Sequence, residues 1–244
     1  RDAATAEHIL KHGHADLVGM ARALIADPEL PNKSAENRLF EIRGCLGINQ
    51  DCRAFDPHLH CAVNAEIGRG RHRNAGVRTP EAKDVYVIGG GPAGLEAARV
   101  AAERGHRVSV FEKHTQLGGS VRVAAASPHR STLIDVVDYL GNEMRRLKVE
   151  VNLAAGIDAD DFAEMRSIAD HIVVATGSRP ARPPDWLDGY STATVDEVIV
   201  DDPADATVRE AVVVDDGDGF WPAYNAAESL ALRGWQVTLA TPLT

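Results

Sequence analysis

The stretch 85–94, read as Val-Tyr-Val-Ile-Gly-Gly-Gly-Pro-Ala-Gly, constrains this chain more than any other. A short β-branched run enters three glycines and leaves into the alanine-rich segment 95–102, which has the composition of a helix. That order predicts a strand, a tight turn and a helix N-terminus. Gly89 permits the turn, Gly91 lets backbone approach a pyrophosphate, and Gly94 lets helix and strand pack closely. Pro92 presets the helix start, and the helix dipole with the free N–H groups from Ala93 onward favours phosphate charge. A second strand-like run, 107–111, then delivers Glu112 about twenty residues on, where ribose hydroxyls need an acceptor. Taken alone, the glycines would equally suit a structural turn. Strand, glycines, helix, strand and acid in this register predict a bound adenine dinucleotide.

Composition narrows the partners. The 244 residues carry a formal net charge of −10, and no basic patch has the size that nucleic acid or an anionic membrane demands. No apolar run approaches the ~20 residues of a membrane span, and the opening Arg1-Asp2-Ala3-Ala4 lacks a signal-peptide core. A cytoplasmic location is expected, without a nucleic-acid or membrane partner. With 44% hydrophobic and 25% charged residues, the chain suits one or two globular domains. The three cysteines, all within 45–61, make no secreted disulfide framework and point to a metal site or the remnant of one.

Beyond Glu112, the paired Gly118 and Gly119 permit close backbone approach to a cofactor. Leu133, Val136, Val137, Leu140 and Met144 are spaced for one buried helix face within 130–146. Segments 149–153 and 171–174 read as two further buried parallel strands, the second running into Ala175-Thr176-Gly177. A second strand, turn and helix start at 212–214. Leu232-Arg233-Gly234-Trp235-Gln236-Val237-Thr238-Leu239 repeats the pattern of 103–110, so the βαβ unit occurs twice. Counted back from the helix end, Gly89, Gly91 and Gly94 match Asp218, Phe220 and Ala223, and Thr241 stands for Glu112. Asp215, Asp216 and Asp218 crowd negative charge where a pyrophosphate would sit, so this copy is expected to keep the fold without the nucleotide chemistry. Gly217 and Gly219 leave a different turn open there.

Near the start, 15–20 is expected as a strand and 21–30 as a short helix that stops at Asp27-Pro28. The run Asp-Leu-Val-Gly-Met-Ala-Arg-Ala-Leu-Ile-Ala-Asp-Pro at 16–28 resembles the last strand and helix of the flavin-binding (β/α)8 barrel of the old yellow enzyme family. The likeness is to the multi-cofactor branch that includes 2,4-dienoyl-CoA reductase and trimethylamine dehydrogenase. It implies that Arg22, with backbone at Met20 and Ala21, contacts an FMN phosphate, consistent with phosphate sites after the last barrel strands. The residues themselves also allow an ordinary surface arginine. Segment 43–64, with Cys45, Cys52 and Cys61, resembles the branch's iron–sulfur segment, in which four cysteines hold a [4Fe–4S] cluster. Here Ile48 occupies the second cysteine position. Three readings stay open: a cubane with Asp51, His58 or His60 as fourth ligand, a [3Fe–4S] cluster, or a lost cluster with leftover cysteines.

The same resemblance makes Ala175-Thr176-Gly177 a second fingerprint, where backbone passes close to a flavin dinucleotide, and places Lys113, Gly118 and Gly119 along it. It favours FAD, or its ADP portion, over NAD in the first copy. The implied fold class is α/β: a Rossmann-like FAD/NAD(P)-binding domain preceded by the last strand and helix of a barrel and a cysteine-containing connector. The implied division is a barrel end over 1–40, the connector over 41–70, a linker over 71–83, the FAD/ADP domain over 84–205 and the start of a degenerate second domain over 206–244. The chain is expected to be the central excerpt of such an enzyme, with the catalytic groups in the barrel portion of the same or a separate chain.

The expected function is the electron-transfer portion of a flavin-dependent oxidoreductase. The degenerate second copy favours an amine dehydrogenase or demethylase that passes electrons to a protein partner, over an NAD(P)H-dependent dienoyl-CoA-type reductase. A non-catalytic subunit that docks a separate barrel is the reading from a different class. Homo- or hetero-oligomers are expected in either case.

Overall fold

The computed structural model describes residues 2–50, 52–53, 58–67, 77–180, 185–201, 209–215, 217 and 220–242. The chain divides into two compact units, one built from Arg1–Gly118 and Asp135–Thr176, the other from Gly119–Ile134 and Gly177–Thr244.

The first unit opens with three short helices: α1 (Ala3–Lys11), α2 (Ala21–Ala26) and α3 (Leu30–Ala35). Asp2 caps α1 through the Thr5 N–H at 2.8 Å. Helix α2 ends just before Asp27-Pro28, because a residue preceding proline is pushed out of the helical region. The Asp27 carboxylate, 4% exposed, accepts from the Glu29 N–H, the Lys33 Nζ and the Arg43 N–H at 3.0, 2.7 and 2.8 Å, and so ties the connector to α2. Residues 30–35 form α3 around the buried Leu30, a helix beyond the one expected at 21–30. The strand expected at 15–20 does not form. A strand exists only through ladder bonds to a neighbour, no described residue pairs with this segment, and Leu17 stands 88% exposed.

The sheet of the first unit has the order β3-β2-β1-β4, from β1 (Asp84–Ile88), β2 (Arg107–Phe111), β3 (Glu150–Asn152) and β4 (His171–Val174), all parallel. Valine-rich runs suit a pleated surface, and parallel neighbours need helical crossovers. Helix α4 (Pro92–Glu103) joins β1 to β2, and α6 (Asp135–Arg146) leads into β3. Val85, Val87, Val108 and Val110 bury against Leu95 and Ala98 of α4 and against Tyr139, Leu140 and Met144 of α6. Three of the five apolar residues assigned to one face of the 130–146 helix, Val137, Leu140 and Met144, are fully buried. Leu95 is completely buried. Truncation to alanine is therefore expected to cost about 2–5 kcal/mol, measured by chemical denaturation.

The same helices carry a ladder of charge. Arg99, 3% exposed, bonds Glu96 and Glu103 at 2.8 Å each, and Arg146 links Glu103 to Glu143 at 3.3 and 2.7 Å. Burial pulls the Arg99 pKa down, but the carboxylates of Glu96 and Glu103 outweigh it and raise the pKa, holding the guanidinium charged.

Strands β3 and β4 are not buried as the sequence reading expected; Val174 is 62% exposed. Helices α4 and α6 cover one face of the sheet. On the other, α7 (Ala159–Ile168), capped by Asp158, leaves an open cleft of about 390 Å³ lined by Tyr86, Phe111, Met165 and Ile168.

The second unit contains α5 (Ser120–Ala126), α8 (Val195–Val200), β5 (Glu210–Val214), α9 (Trp221–Leu232) and β6 (Gln236–Ala240). Strands β5 and β6 pair in parallel across α9, the repeated βαβ unit read from sequence. Val198, Ala226 and Leu230 form its core. Among the described residues no helix is long and apolar enough to cross a membrane.

Candidate functional site

The glycines between β1 and α4 divide three tasks among them. A Cβ on Gly89, whose φ is +113°, would run into the carbonyl of Ala175 at the end of β4. A Cβ on Gly94 would run into the carbonyl of Gly89, so helix and turn touch backbone to backbone. Gly91 is different: a Cβ there would meet nothing within 4 Å. It is the N-cap of α4 and brings no side-chain cap, whereas Asp158 caps α7 and Thr194 caps α8. Pro92 is in the first turn, where its missing N–H costs nothing, and Ala93 is exposed. The start of α4 thus combines open space, uncapped amide donors and the positive end of the helix dipole, which suits an anionic group.

Glu112 lies directly behind this loop and is only 5% exposed. Its Oε2 accepts the Gly90 N–H at 2.7 Å and its Oε1 accepts the His114 N–H at 2.8 Å. The carbonyl of Gly90 in turn accepts the Gly118 N–H at 2.8 Å. Gly118 and Gly119 both have positive φ, +121° and +53°. The structure therefore brings together Gly89, Gly91, Gly94, Glu112 and Gly118 around one turn. Lys113 is exposed beside it. The Ala175 N–H bonds the Ile88 carbonyl at 2.8 Å, which sets the Ala175-Thr176 backbone against the glycine turn. Gly177, with φ +79°, belongs to the other compact unit.

Gly90 escaped the sequence reading. In the pattern G-x-G-x-x-G it fills a free position, and its two backbone bonds come from residues more than twenty positions away. A Cβ on it would come within 2.7 Å of Leu117 Cδ2.

The other assigned residues lie apart from this turn. Met20 is the N-cap of α2 and Ala21 its first residue. Arg22 is exposed, and its Nη1 donates to Asn49 Oδ1. Its remaining N–H groups have no partner among the described residues. Cys45, Cys52 and Cys61 are free, half-buried thiols. Among the described residues no group of three or more His, Cys, Asp or Glu side chains is gathered to hold a metal ion. His58 and His60 are exposed, and Asp51 lies outside the described residues.

The second copy differs from the first in one measurable way. Only 89–91 separate β1 from α4, whereas 215–220 separate β5 from α9. Counting back from the helix, Phe220 holds the N-cap position of Gly91, and Ala223, 6% exposed, that of Gly94. From the strand, however, Asp215 takes the place of Gly89: its N–H bonds the Ala240 carbonyl at 2.8 Å, as the Gly89 N–H bonds that of Phe111. The pairing of Gly89 with Asp218 is corrected accordingly, because the longer turn shifts the match between helix and strand. Asp216, Asp218 and Gly219 lie outside the described residues. Asp215 is 5% exposed and accepts the Thr241 hydroxyl at 2.8 Å. Acid and donor have exchanged places relative to Glu112 and the Gly90 loop. Thr241→Val leaves Asp215 short of a donor, so it should lower stability by about 1–3 kcal/mol in denaturant unfolding without altering adenine-nucleotide binding.

The family model "Pyridine nucleotide-disulphide oxidoreductase" matches residues 83–214. The chain is 41% identical over 187 residues to an NADH oxidase of Thermoanaerobacter brockii, covering 75% of this chain and 28% of that protein. It is 36% identical over 253 residues to an N,N-dimethylglycine/sarcosine dehydrogenase of Chromohalobacter salexigens, covering 99% of this chain and 36% of that protein. The solved structure of 2-naphthoyl-CoA reductase in complex with 2-naphthoyl-CoA superimposes with a TM-score of 0.85 at 29% identity, over 97% of this chain and 36% of that one. The chain thus spans about a third of the length of these proteins.

Proposed function

The chain belongs to the pyridine nucleotide-disulphide oxidoreductase family and is similar to old yellow enzyme-related, multi-cofactor oxidoreductases, and from that premise we propose that it is the electron-transfer portion of a flavin-dependent amine dehydrogenase or demethylase. In this reading FAD, or its ADP portion, lies across the turn between β1 and α4. Gly91 and the first amides of α4 face the pyrophosphate, Glu112 accepts from the ribose, and Ala175 and Thr176 run beside the dinucleotide. A bound flavin would supply a group that takes two electrons and releases them singly. The protein's part is to orient it and to hold its charge. FMN belongs, in the same reading, to the barrel portion of the enzyme, with Arg22 offering its phosphate the N–H groups that no described residue engages. No step is assigned to an iron–sulfur centre, because among the described residues the thiols do not gather as a ligand set. Electrons leave for a protein acceptor.

The observation that carries this reading is the contrast between the two copies. The first keeps an open, uncapped helix start with an acid behind it. The second has an N-cap phenylalanine, a longer turn and a buried Asp215 in place of the first glycine. A carboxylate at the start of the turn opposes a second pyrophosphate, so loading by NAD(P)H is disfavoured. The likeness to 2-naphthoyl-CoA reductase and to an NADH oxidase favours a second reading, an NAD(P)H-dependent enoate-type reductase. Anaerobic mixing of the full-length protein with NADPH, NADH or an N-methylated amine decides between them. Bleaching of the flavin absorbance by the amine alone is expected. Rapid bleaching by either nicotinamide overturns the proposal.

A further inference from the structure

Gly90 is a node in the nucleotide turn. Its N–H is taken by Glu112 Oε2 at 2.7 Å and its carbonyl is engaged by the Gly118 N–H at 2.8 Å, so its one donor is spent inside the protein. The other oxygen of Glu112 is engaged as well, by the His114 N–H at 2.8 Å. A carboxylate 5% exposed that accepts two backbone donors is held in one orientation, since rotating it would leave a buried charge with fewer donors. Leu117 packs on the same residue, its Cδ2 only 2.7 Å from where a Cβ on Gly90 would stand. These bonds join three chain segments, 89–91, 112–114 and 117–118, through protein groups alone.

We propose that Glu112 is the positioning residue of this turn: its carboxylate latches the glycine loop in the ligand-ready shape in the nucleotide-free protein, so that the dinucleotide enters a preformed site. The inference rests on the nucleotide reading of this turn and adds to it a role that does not require the ligand. Each Glu112 oxygen keeps lone-pair capacity beyond the bond it already makes, so the latch and the ribose are compatible. Glutamine is a poor substitute. It has one acceptor oxygen and one donor amide, and that amide would have to face the N–H of Gly90 or of His114. Aspartate is one methylene shorter and would not span both donors.

The test is amide hydrogen exchange on the full-length protein stripped of nucleotide. In the wild type, the Gly90 and His114 amides are expected to be strongly protected. In Glu112→Gln and Glu112→Asp, both should exchange at least tenfold faster, while the amides of Val85 and Val87 change less than twofold. A residue that only contacts ribose would move none of these rates without ligand. Unchanged Gly90 exchange in both variants overturns the latch, even if nucleotide affinity falls. Should the variants fail to fold, the wild type decides alone: Gly90 exchanging like an unprotected peptide overturns the proposal. Flavin bleaching by NADPH would overturn the amine-dehydrogenase reading and leave the latch standing.

Discussion

Replacing Gly94 with valine is expected to empty the nucleotide site. The position has no room for a Cβ, because that atom would collide with the carbonyl of Gly89 and would also lie 3.3 Å from the Ala175 Cβ. Relief requires α4 to lift from β1, which moves the open position at Gly91 and the uncapped amides of the first helical turn together. Leu95 is the next residue and is fully buried, so the displacement also spoils the packing between helix and sheet. Affinity for FAD or ADP should fall by more than about 100-fold, equivalent to about 2.8 kcal/mol. Nucleotide released per chain after denaturation, with circular dichroism to follow the fold, measures the effect. Full nucleotide occupancy in a folded Gly94→Val variant would contradict the assigned role of this turn.

The second large effect concerns stability. Arg146 clamps the Glu143 carboxylate through its Nε and Nη2, at 2.8 and 2.7 Å, and the Glu143 side chain is 4% exposed. The pairing with Glu143 is the main reason that the Arg146 pKa is raised, against the opposing pull of burial. Arg146→Ala would strand a buried carboxylate without its partner, a change that costs about 3–5 kcal/mol in comparable buried pairs. The guanidinium is 39% exposed, so the lower part of that range is expected. Removing both partners, as in Glu143→Met with Arg146→Met, should recover most of the loss, because an apolar pair leaves no charge unpaired. Urea denaturation of the single and double variants gives the comparison. A double variant no more stable than Arg146→Ala would show that the loss comes from packing rather than from the stranded charge.

Much of the first unit was legible because its signals are local. Alternating valines, a glycine triplet and an alanine-rich run specify strand, turn and helix through neighbours within a few residues, and the acid follows at a fixed distance of about twenty residues, at the end of the next strand. The repeated pattern near 232–239 revealed the second copy for the same reason. Strand burial was less legible. The residues at 171–174 are as apolar as those of β1, yet only the face under α4 and α6 is covered, and coverage depends on what packs there. The expected strand at 15–20 illustrates the same point from the other side. Its sequence permits an extended backbone, but a ladder needs a partner that no local pattern supplies.

The sequence by itself determined the βαβ units, the glycine turn and its acid, because propensity, φ freedom and helix periodicity act over short spans of chain. Only the tertiary structure decided that Gly90 is tied at both its N–H and its carbonyl, that Glu112 is shared between two backbone donors, and that Asp215 rather than Asp218 takes the place of Gly89. It also decided that the cysteines stand apart from any ready ligand set among the described residues. All four depend on which atoms meet across long stretches of sequence. A hydrogen bond or a ligand set is a relation in space at about 3 Å, and residue order does not state it.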